Sequence, residues 1–400
     1  ERRGGLLFGW SAIDFVEFAE RAGFASFGRT RTRVHGHPDV FGMLPSTSLT
    51  PDITDPGPGR IRALMTLGSN VVLTSAGGGR PLERALETLD LHFSLDLYVN
   101  ETNKYADYVL PVTTFYERDD FPMATMGMLL RPAIWATDAV VAPADGVRPE
   151  WEILDDIARH AGRGSAAPHG LLRLAARVGL RVRPRLLADV LIRTSRVGDW
   201  FGLRPKGLSF AKLTRRHPHG RMLRSDMPTG RLAESLRTTD HRISLAAPPL
   251  VAEFERLRAG PDGNPAGFPL RLLSLRERNS HNSWMHNVER MMPSGRRQTV
   301  HVHPRDLVSA GLIDGQLAGI VSPYGRVVLP VTASAEMVPG NVAIPHGWGH
   351  SAGWKRANAA GGVNINELVS AAPGDIEPVA GMSVLSGVPI RIEPVPAGVT

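Results

Sequence analysis

The chain has 400 residues, 42% of them hydrophobic, a formal net charge of +7 and no cysteine. That length suggests about two or three domains with ordinary globular cores. The lack of cysteine excludes disulfides, thiolate nucleophiles, Cys-ligated zinc and cysteinyl iron–sulfur ligation within these residues. The cationic excess is almost all Arg, with Lys only at Lys104, Lys206, Lys212 and Lys355. Such a balance suits an anionic cofactor, a nucleic acid or a membrane surface, or simply places Arg wherever Lys would serve. No run of about 18 uncharged apolar residues occurs, so no membrane span is expected. The opening "ERRGGLLFGW" has neither an initiator Met nor a signal-peptide layout, so no targeting peptide is read here and the natural N-terminus is expected elsewhere.

In chain order, "SAIDFVEFAERAGF" predicts an amphipathic helix with Ser11 as its cap and Gly23 as its stop. A Pro/Gly-rich loop follows, to residue 59. Residues 61–69, "IRALMTLGS", predict a buried strand. The glycines at 77–79 open a helix with Pro81 near its start and apolar positions at 82, 85, 86 and 89. "LHFSLDLYV" (91–99) is a second strand, and a short third begins at "YVLPV". Strand, helix and strand with short links make a βαβ unit, whose ligand crevice lies at the carboxyl ends of its strands.

"EWEILDDIARHAG" predicts a helix, and "RLAARVGLRVRPRLLADVLIRTSRVGDW" alternates Arg with Leu, Val and Ala, so residues 151–262 are read as short helices in a basic connecting region; "AGPDGNPAG" (259–267) is a linker. From 263 to 400 the pattern is mostly β. Strands are predicted at "LRLLSL", "QTVHVHP", "QLAGIVSP", "RVVLPVTAS", "NVAIPH" and "GVPIRIEPV", with turns at Asp314-Gly315, Pro323-Tyr324-Gly325 and Pro339-Gly340. One short helix starts at Pro304 and stops before Gly311. Six strands in so few residues predict a closed barrel. The expected division is therefore 1–150 α/β, 151–262 connecting and 263–400 barrel.

Several residues stand where a ligand would meet these elements. Gly68 lets backbone approach closely at a strand end, and Asn70 offers a donor and an acceptor, although a plain βα turn would look the same. Asp96 at the next strand end can accept two hydrogen bonds from a ligand, or can simply face solvent. The stretch 274–287, "SLRERNSHNSWMHN", packs Arg, His, Asn and Ser around a Trp and a Met. It is either an ordinary polar loop or the grip on a large polar ligand. His346, Trp348 and His350 alternate in "IPHGWGH"; two imidazoles suit a metal, but no third or fourth ligand follows. His301 and His303 in "HVH" fit a strand leading into a helix cap.

The order of "IRALMTLGSN", "ETNKYADYVLP", "NSWMHN", "HPRDLVSAGLIDGQ", "VPGNVAIPHGWGH" and "NINELV" resembles the C-terminal half of molybdopterin-dependent oxidoreductases. That family includes formate dehydrogenases and dimethyl-sulfoxide reductases and holds bis-molybdopterin guanine dinucleotide with Mo or W. The resemblance covers roughly 60–150 and 268–400. It implies the C-terminal part of a parallel α/β domain followed by a double-psi β-barrel. It also implies cofactor contacts from Gly68, Asn70, Asp96, Thr102 and Asp107 in the α/β segment. On the barrel side, Arg276, Ser280, His281, Asn282, Ser283, Trp284, His286 and Asn287 would wrap a pterin and its phosphates. His346, Trp348, Asn364 and Asn366 would complete the set. Where the family usually has Pro after the first of these Asn residues, this chain has Val71.

The family's [4Fe–4S] cysteines and its metal ligand lie in segments this chain lacks, so it contributes no catalytic or metal-ligating residue of its own. The resemblance thus implies a chain inactive alone that works with the N-terminal half of the same protein. A small-molecule substrate and an electron-transfer partner are implied as well, and "NSWMHN" points to the formate-dehydrogenase-like branch; a cytoplasmic setting is expected. Two rivals from other classes are a basic nucleic-acid-binding protein and a barrel that binds partners without cofactor. The first is disfavoured by scattered Arg and only 6% aromatic residues. If the cofactor reading holds, Arg276, Ser280, Asn282, His346 and Asn364 should line one open polar cleft facing Asn70 and Asp96.

Overall fold

A computed structural model describes residues 1, 5–162, 181–260, 263–293, 295–353 and 355–396. Positions 163–180 of the basic middle, and 261–262 of the expected linker, lie outside the described residues. The chain forms two compact units. The first is Glu1–Ser26 with Pro111–Ala246; the second is Phe27–Leu110 with Ala247–Thr400.

The second unit begins with a hairpin of β1 (Phe27–Arg31) and β2 (Pro38–Val40), then a three-stranded sheet of β3 (Ala63–Leu67), β4 (Leu91–Asp96) and β5 (Tyr108–Pro111) in that order. Strands β3 and β4 run parallel, from Ala63 beside Leu91 to Leu67 beside Leu95, so their carboxyl ends coincide. Between them the chain crosses over through helices Val71–Thr74 and Arg80–Leu86, the latter with Pro81 in its first turn. Ile53, Val72, Leu82, Ala85 and Leu86 pack together, with Leu64 of β3 against them. The helices therefore cover the Leu64 side of the sheet. On the other side Met65 is 43% and Leu67 47% exposed, which corrects the expectation of a buried strand: only one face of β3 is covered.

In the first unit, β6 (Ala133–Ile134) and β7 (Arg221–Met222) pair antiparallel. Helices Pro184–Thr194 and Phe210–Arg216 contribute Ile192, Phe210 and Leu213 to a core with Ile134, Met126 and Leu208. Helix Phe15–Ala22 ends at Gly23, whose φ of 81° only glycine adopts readily. Its cap is Asp14, which accepts from the Glu17 N–H at 3.0 Å. Ser11, expected in that role, instead donates its hydroxyl to the Ile13 carbonyl because the helix starts later than the apolar pattern suggests.

The rest of the second unit is a closed barrel. Its strands are β8 (Leu270–Leu275), β9 (Val300–Val302), β10 (Leu317–Val321), β11 (Arg326–Ala333), β12 (Asn341–Pro345) and β13 (Ser386–Pro394), in the circular order β10-β11-β9-β12-β8-β13. Each lies within a stretch predicted as a strand, except that β13 starts one residue before its own. Inward positions such as Leu272, Val300, Ile320, Val331, Val342 and Ile390 fill the interior. Helix Pro304–Ser309 is capped by His303, whose Nδ1 accepts from the Arg305 N–H at 3.1 Å. Pairs β11/β9 and β12/β8 are parallel and the other pairs antiparallel. Because β12 and β8 run side by side to Pro345 and Leu275, the two loops that follow them leave the barrel at the same end. Among the described residues, no helix is long and apolar enough to cross a membrane.

Candidate functional site

Both loops continue the pairing of their strands for one step: the His346 N–H donates to the Leu275 carbonyl at 2.9 Å. The first loop then folds on itself. Arg276 donates to the Asn282 side-chain oxygen at 2.6 Å, and the Ser280 hydroxyl donates to the Glu277 carbonyl. His281 and Asn282 both adopt positive φ, 45° and 58°. The Asn282 carbonyl comes so close to the second loop that a Cβ on Gly347 would stand 2.4 Å from it, so glycine is required there.

Under this crossing lies an aromatic nest. His286 is fully buried, with its ring 4.6 Å from that of Trp348 and edge-on to His350 at 5.3 Å. Trp348 is also buried; its indole N–H donates to Glu277 at 2.9 Å, and Arg296 pairs with the same carboxylate while lying over the indole. Burial, helped by the charges of His350, Arg296 and His346, pushes the His286 pKa down to about 3. Burial and the Arg276 charge likewise lower that of His346. Trp284, expected to shield the site, is instead exposed with His281 stacked on it at 5.9 Å; the buried indole here is that of Trp348. The Asn287 side-chain oxygen accepts from the Arg356 N–H.

The α/β segment meets the second loop at one carboxylate. Glu101 is 2% exposed. Its Oε2 accepts from the Asn70 amide at 2.6 Å and lies 3.3 Å from His350 Nδ1. Its Oε1 accepts the Ser351 and Ala352 N–H groups at 2.7 and 3.1 Å. Burial alone would push this carboxyl up, but His350, Asn70 and the Ser351 N–H outweigh it and hold it at about 2. The oxygen of Asn70 accepts from the Thr102 hydroxyl, which in turn accepts from the Val72 N–H. Asn364 donates to the Val72 carbonyl and Asn366 to the Leu73 carbonyl, at 2.9 and 2.6 Å. Asn70, Thr102, Asn364 and Asn366 thus tie the βα turn to the barrel, with their side-chain amides and hydroxyl engaged inside the protein.

Gly68, at φ 51°, extends the parallel pairing by donating to the Leu95 carbonyl. It sits beside Asp96, which is buried rather than at a solvated strand end. Burial raises the Asp96 pKa despite the Leu97, Tyr98 and Ser69 N–H groups and the Asn100 amide around it. Asp107 is not brought to this place: it accepts from the His92 N–H at the amino end of β4. The sequence reading also passed over Glu101, Glu277, Arg296 and Gln298. Gln298 bridges the Pro345 and Val363 carbonyls. The only local signal for Glu101 was its place beside Thr102.

The expected open polar groove free of buried unpaired groups does not hold. The Ser283 hydroxyl and both ring nitrogens of His286 are buried without a hydrogen-bond partner among the described residues, because Trp348 and the glycine-linked second loop close over them. Leaving such atoms unpaired is costly. No group of three or more potential metal ligands occurs among the described residues.

Two family models match this architecture: "Molybdopterin oxidoreductase" over residues 6–160 and "Molydopterin dinucleotide binding domain" over residues 270–388. The chain belongs to the molybdopterin oxidoreductase family. It is 24% identical over 315 residues to the thiosulfate reductase molybdopterin-containing subunit PhsA of Salmonella typhimurium, covering 76% of this chain and 40% of that protein. It is 24% identical over 351 residues to the assimilatory nitrate reductase catalytic subunit of Bacillus subtilis, covering 84% and 42%. This molybdopterin oxidoreductase chain therefore spans about two fifths of the length of these curated relatives. Its fold is similar to that of acetylene hydratase from Pelobacter acetylenicus, with TM-score 0.60 and 20% identity over 88% of this chain and 47% of that one. Membership of the family, with its dinucleotide-binding barrel, brings a molybdopterin cofactor of Mo or W.

Proposed function

We propose that the second unit holds bis-molybdopterin guanine dinucleotide within an enzyme that carries out two-electron redox chemistry on a small molecule, in the manner of formate dehydrogenases. The observation that carries this reading is the convergence of the two loops after β8 and β12, with buried unpaired polar atoms on Ser283 and His286 beneath them. The cofactor, once bound, supplies the redox chemistry; the residues of this chain bind, orient and shield it. Asp96 would accept the guanine N1–H and amino group with the lone pairs left over from its own turn. Arg276, swung from Asn282, would offer a fork to a phosphate. Ser283 and His286 would face pterin polar edges, and Trp348 would keep water out. The mixed parallel and antiparallel pairing of the barrel supports a double-psi type. The iron–sulfur cysteines, the metal ligand, the substrate funnel and the electron-transfer partner are assigned to protein outside this chain, which has no cysteine. On this reading the chain by itself turns nothing over.

Asp96→Asn in the intact protein tests the assignment. Losing a charge-assisted pair should weaken cofactor retention by about 1–3 kcal/mol, read as guanine nucleotide released by acid from the purified protein. Unchanged nucleotide content would return Asp96 to a purely structural role. Absence of both guanine and metal from the intact wild-type protein would instead favour a cofactor-free barrel.

A further inference from the structure

The basic excess is not explained by the cofactor site. Residues 181–224, all in the first unit, carry twelve Arg and Lys against two Asp, so this short segment holds more net positive charge than the whole chain. From it projects a turn, Trp200-Phe201-Gly202-Leu203, whose apolar side chains face water: Phe201 is 62% and Leu203 84% exposed. Trp200 and Phe201 both take left-handed φ, 47° and 57°, which side chains bearing a Cβ disfavour. The fold imposes that conformation through a rigid neck. Gly207 packs so closely across the neck that a Cβ on it would lie 2.3 Å from the Gly198 carbonyl oxygen, and a Cβ on Gly198 would lie 2.0 Å from the Arg193 carbonyl oxygen at the end of the preceding helix. Asp199, buried at the base, accepts from the Phe201 N–H and pairs with Arg193 and Lys212. Arg204 lies over the Trp200 ring at 5.0 Å, and exposed Lys206 follows.

We propose that this turn is a membrane-docking finger that inserts Trp200, Phe201 and Leu203 into the interface of an anionic lipid surface while Arg204 and Lys206 meet the headgroups. Trp prefers the interfacial zone because its ring is apolar and its N–H is wet. Exposed aliphatic Leu203 gains nothing from a nucleic-acid base or phosphate but gains from acyl chains. The cations at its flank supply the charge complementarity to anionic lipid. The neck matters because a pre-shaped tip loses little conformational entropy on insertion. The inference concerns the first unit alone and stands whether or not the cofactor reading does.

The test is sedimentation of the intact protein with vesicles of phosphatidylcholine containing about 30% phosphatidylserine, compared with phosphatidylcholine alone, at low and high salt. The wild type should pellet with the anionic vesicles, and less so in high salt. Trp200→Asn/Phe201→Asn/Leu203→Ser, in which Asn tolerates the left-handed backbone, should bind at least about tenfold more weakly. Arg204→Gln/Lys206→Gln should lose the preference for phosphatidylserine with the apolar tip intact. A wild-type protein that stays in the supernatant overturns the proposal, as does equal pelleting of wild type and the triple variant. Binding to a single-stranded oligonucleotide that the triple substitution abolishes, without vesicle binding, would reassign the finger to nucleic acid and overturn it too.

Discussion

Glu101→Gln removes one charge from the buried junction while keeping the side chain's size. The folded protein holds the Glu101 carboxyl at about 2 against an ordinary value of 4.5. At about 1.4 kcal/mol per pH unit this difference corresponds to about 3 kcal/mol of stability. Gln also turns one acceptor oxygen into a donor, which then faces either the Ser351 and Ala352 N–H groups or the Asn70 amide and His350. The expected loss near neutrality is therefore about 3 kcal/mol or more. The sign of the pH dependence is fixed. A carboxyl with a depressed folded pKa contributes its stability in full above pH 4.5 and loses it as the pH falls toward 2. Urea denaturation of wild type and variant across that range should show a gap that is constant near neutrality and narrows in acid. His286 acts in an overlapping window but is common to both proteins, so it cancels in the difference. A variant within about 0.5 kcal/mol of wild type at neutral pH, or a gap that does not narrow below pH 4.5, would refute the reasoning.

His286→Leu in cofactor-free protein should be near neutral above pH 6.5, since an unpaired buried ring gives way to an apolar side chain. Below that pH the wild type should lose up to about 1.4 kcal/mol per unit relative to the variant, down to about pH 3, because the unfolded imidazole takes a proton that the buried one refuses; parallel acid titrations of stability would refute this. Gly347→Ala should cost about 1–3 kcal/mol by thermal denaturation, from a Cβ 2.4 Å from the Asn282 carbonyl at φ 88°, and should lower guanine retention in the intact protein; a variant with wild-type stability would show that the loops can part freely.

The barrel was legible because each strand carries its own alternation and each turn its own Gly or Pro, so nothing distant is needed to read it. The α/β crossover was legible for the same reason. What stayed hidden depended on partners far along the chain. Met65 and Leu67 look like core residues until it is known that helices cover only the Leu64 side. Asn70, Asn364 and Asn366 are good ligand donors in isolation, yet Glu101 and the carbonyls of Val72 and Leu73 take their hydrogen bonds from 31 to 293 residues away. Glu101 itself was invisible because its largest set of partners lies some 250 residues further on. Ser11 and Asp14 are both good caps, and only the true helix start chooses between them. The left-handed pair Trp200-Phe201 has no local sequence signal, since glycine or Asn would be the ordinary choice.

The circular order of the barrel sets a schedule for its birth. Strand β13 pairs with both β8 and β10, so neither neighbour has its full set of partners until residue 394 has left the ribosome. Until then β8 and β10 expose unpaired edges, and the loop that begins at Arg276 hangs from a strand not yet held on both sides. Pairings this remote in sequence form late and slowly. A ligand gripped by the loops after β8 and β12 therefore meets its finished seat only after translation, and a chain stalled before Ser386 is exposed to edge-to-edge aggregation.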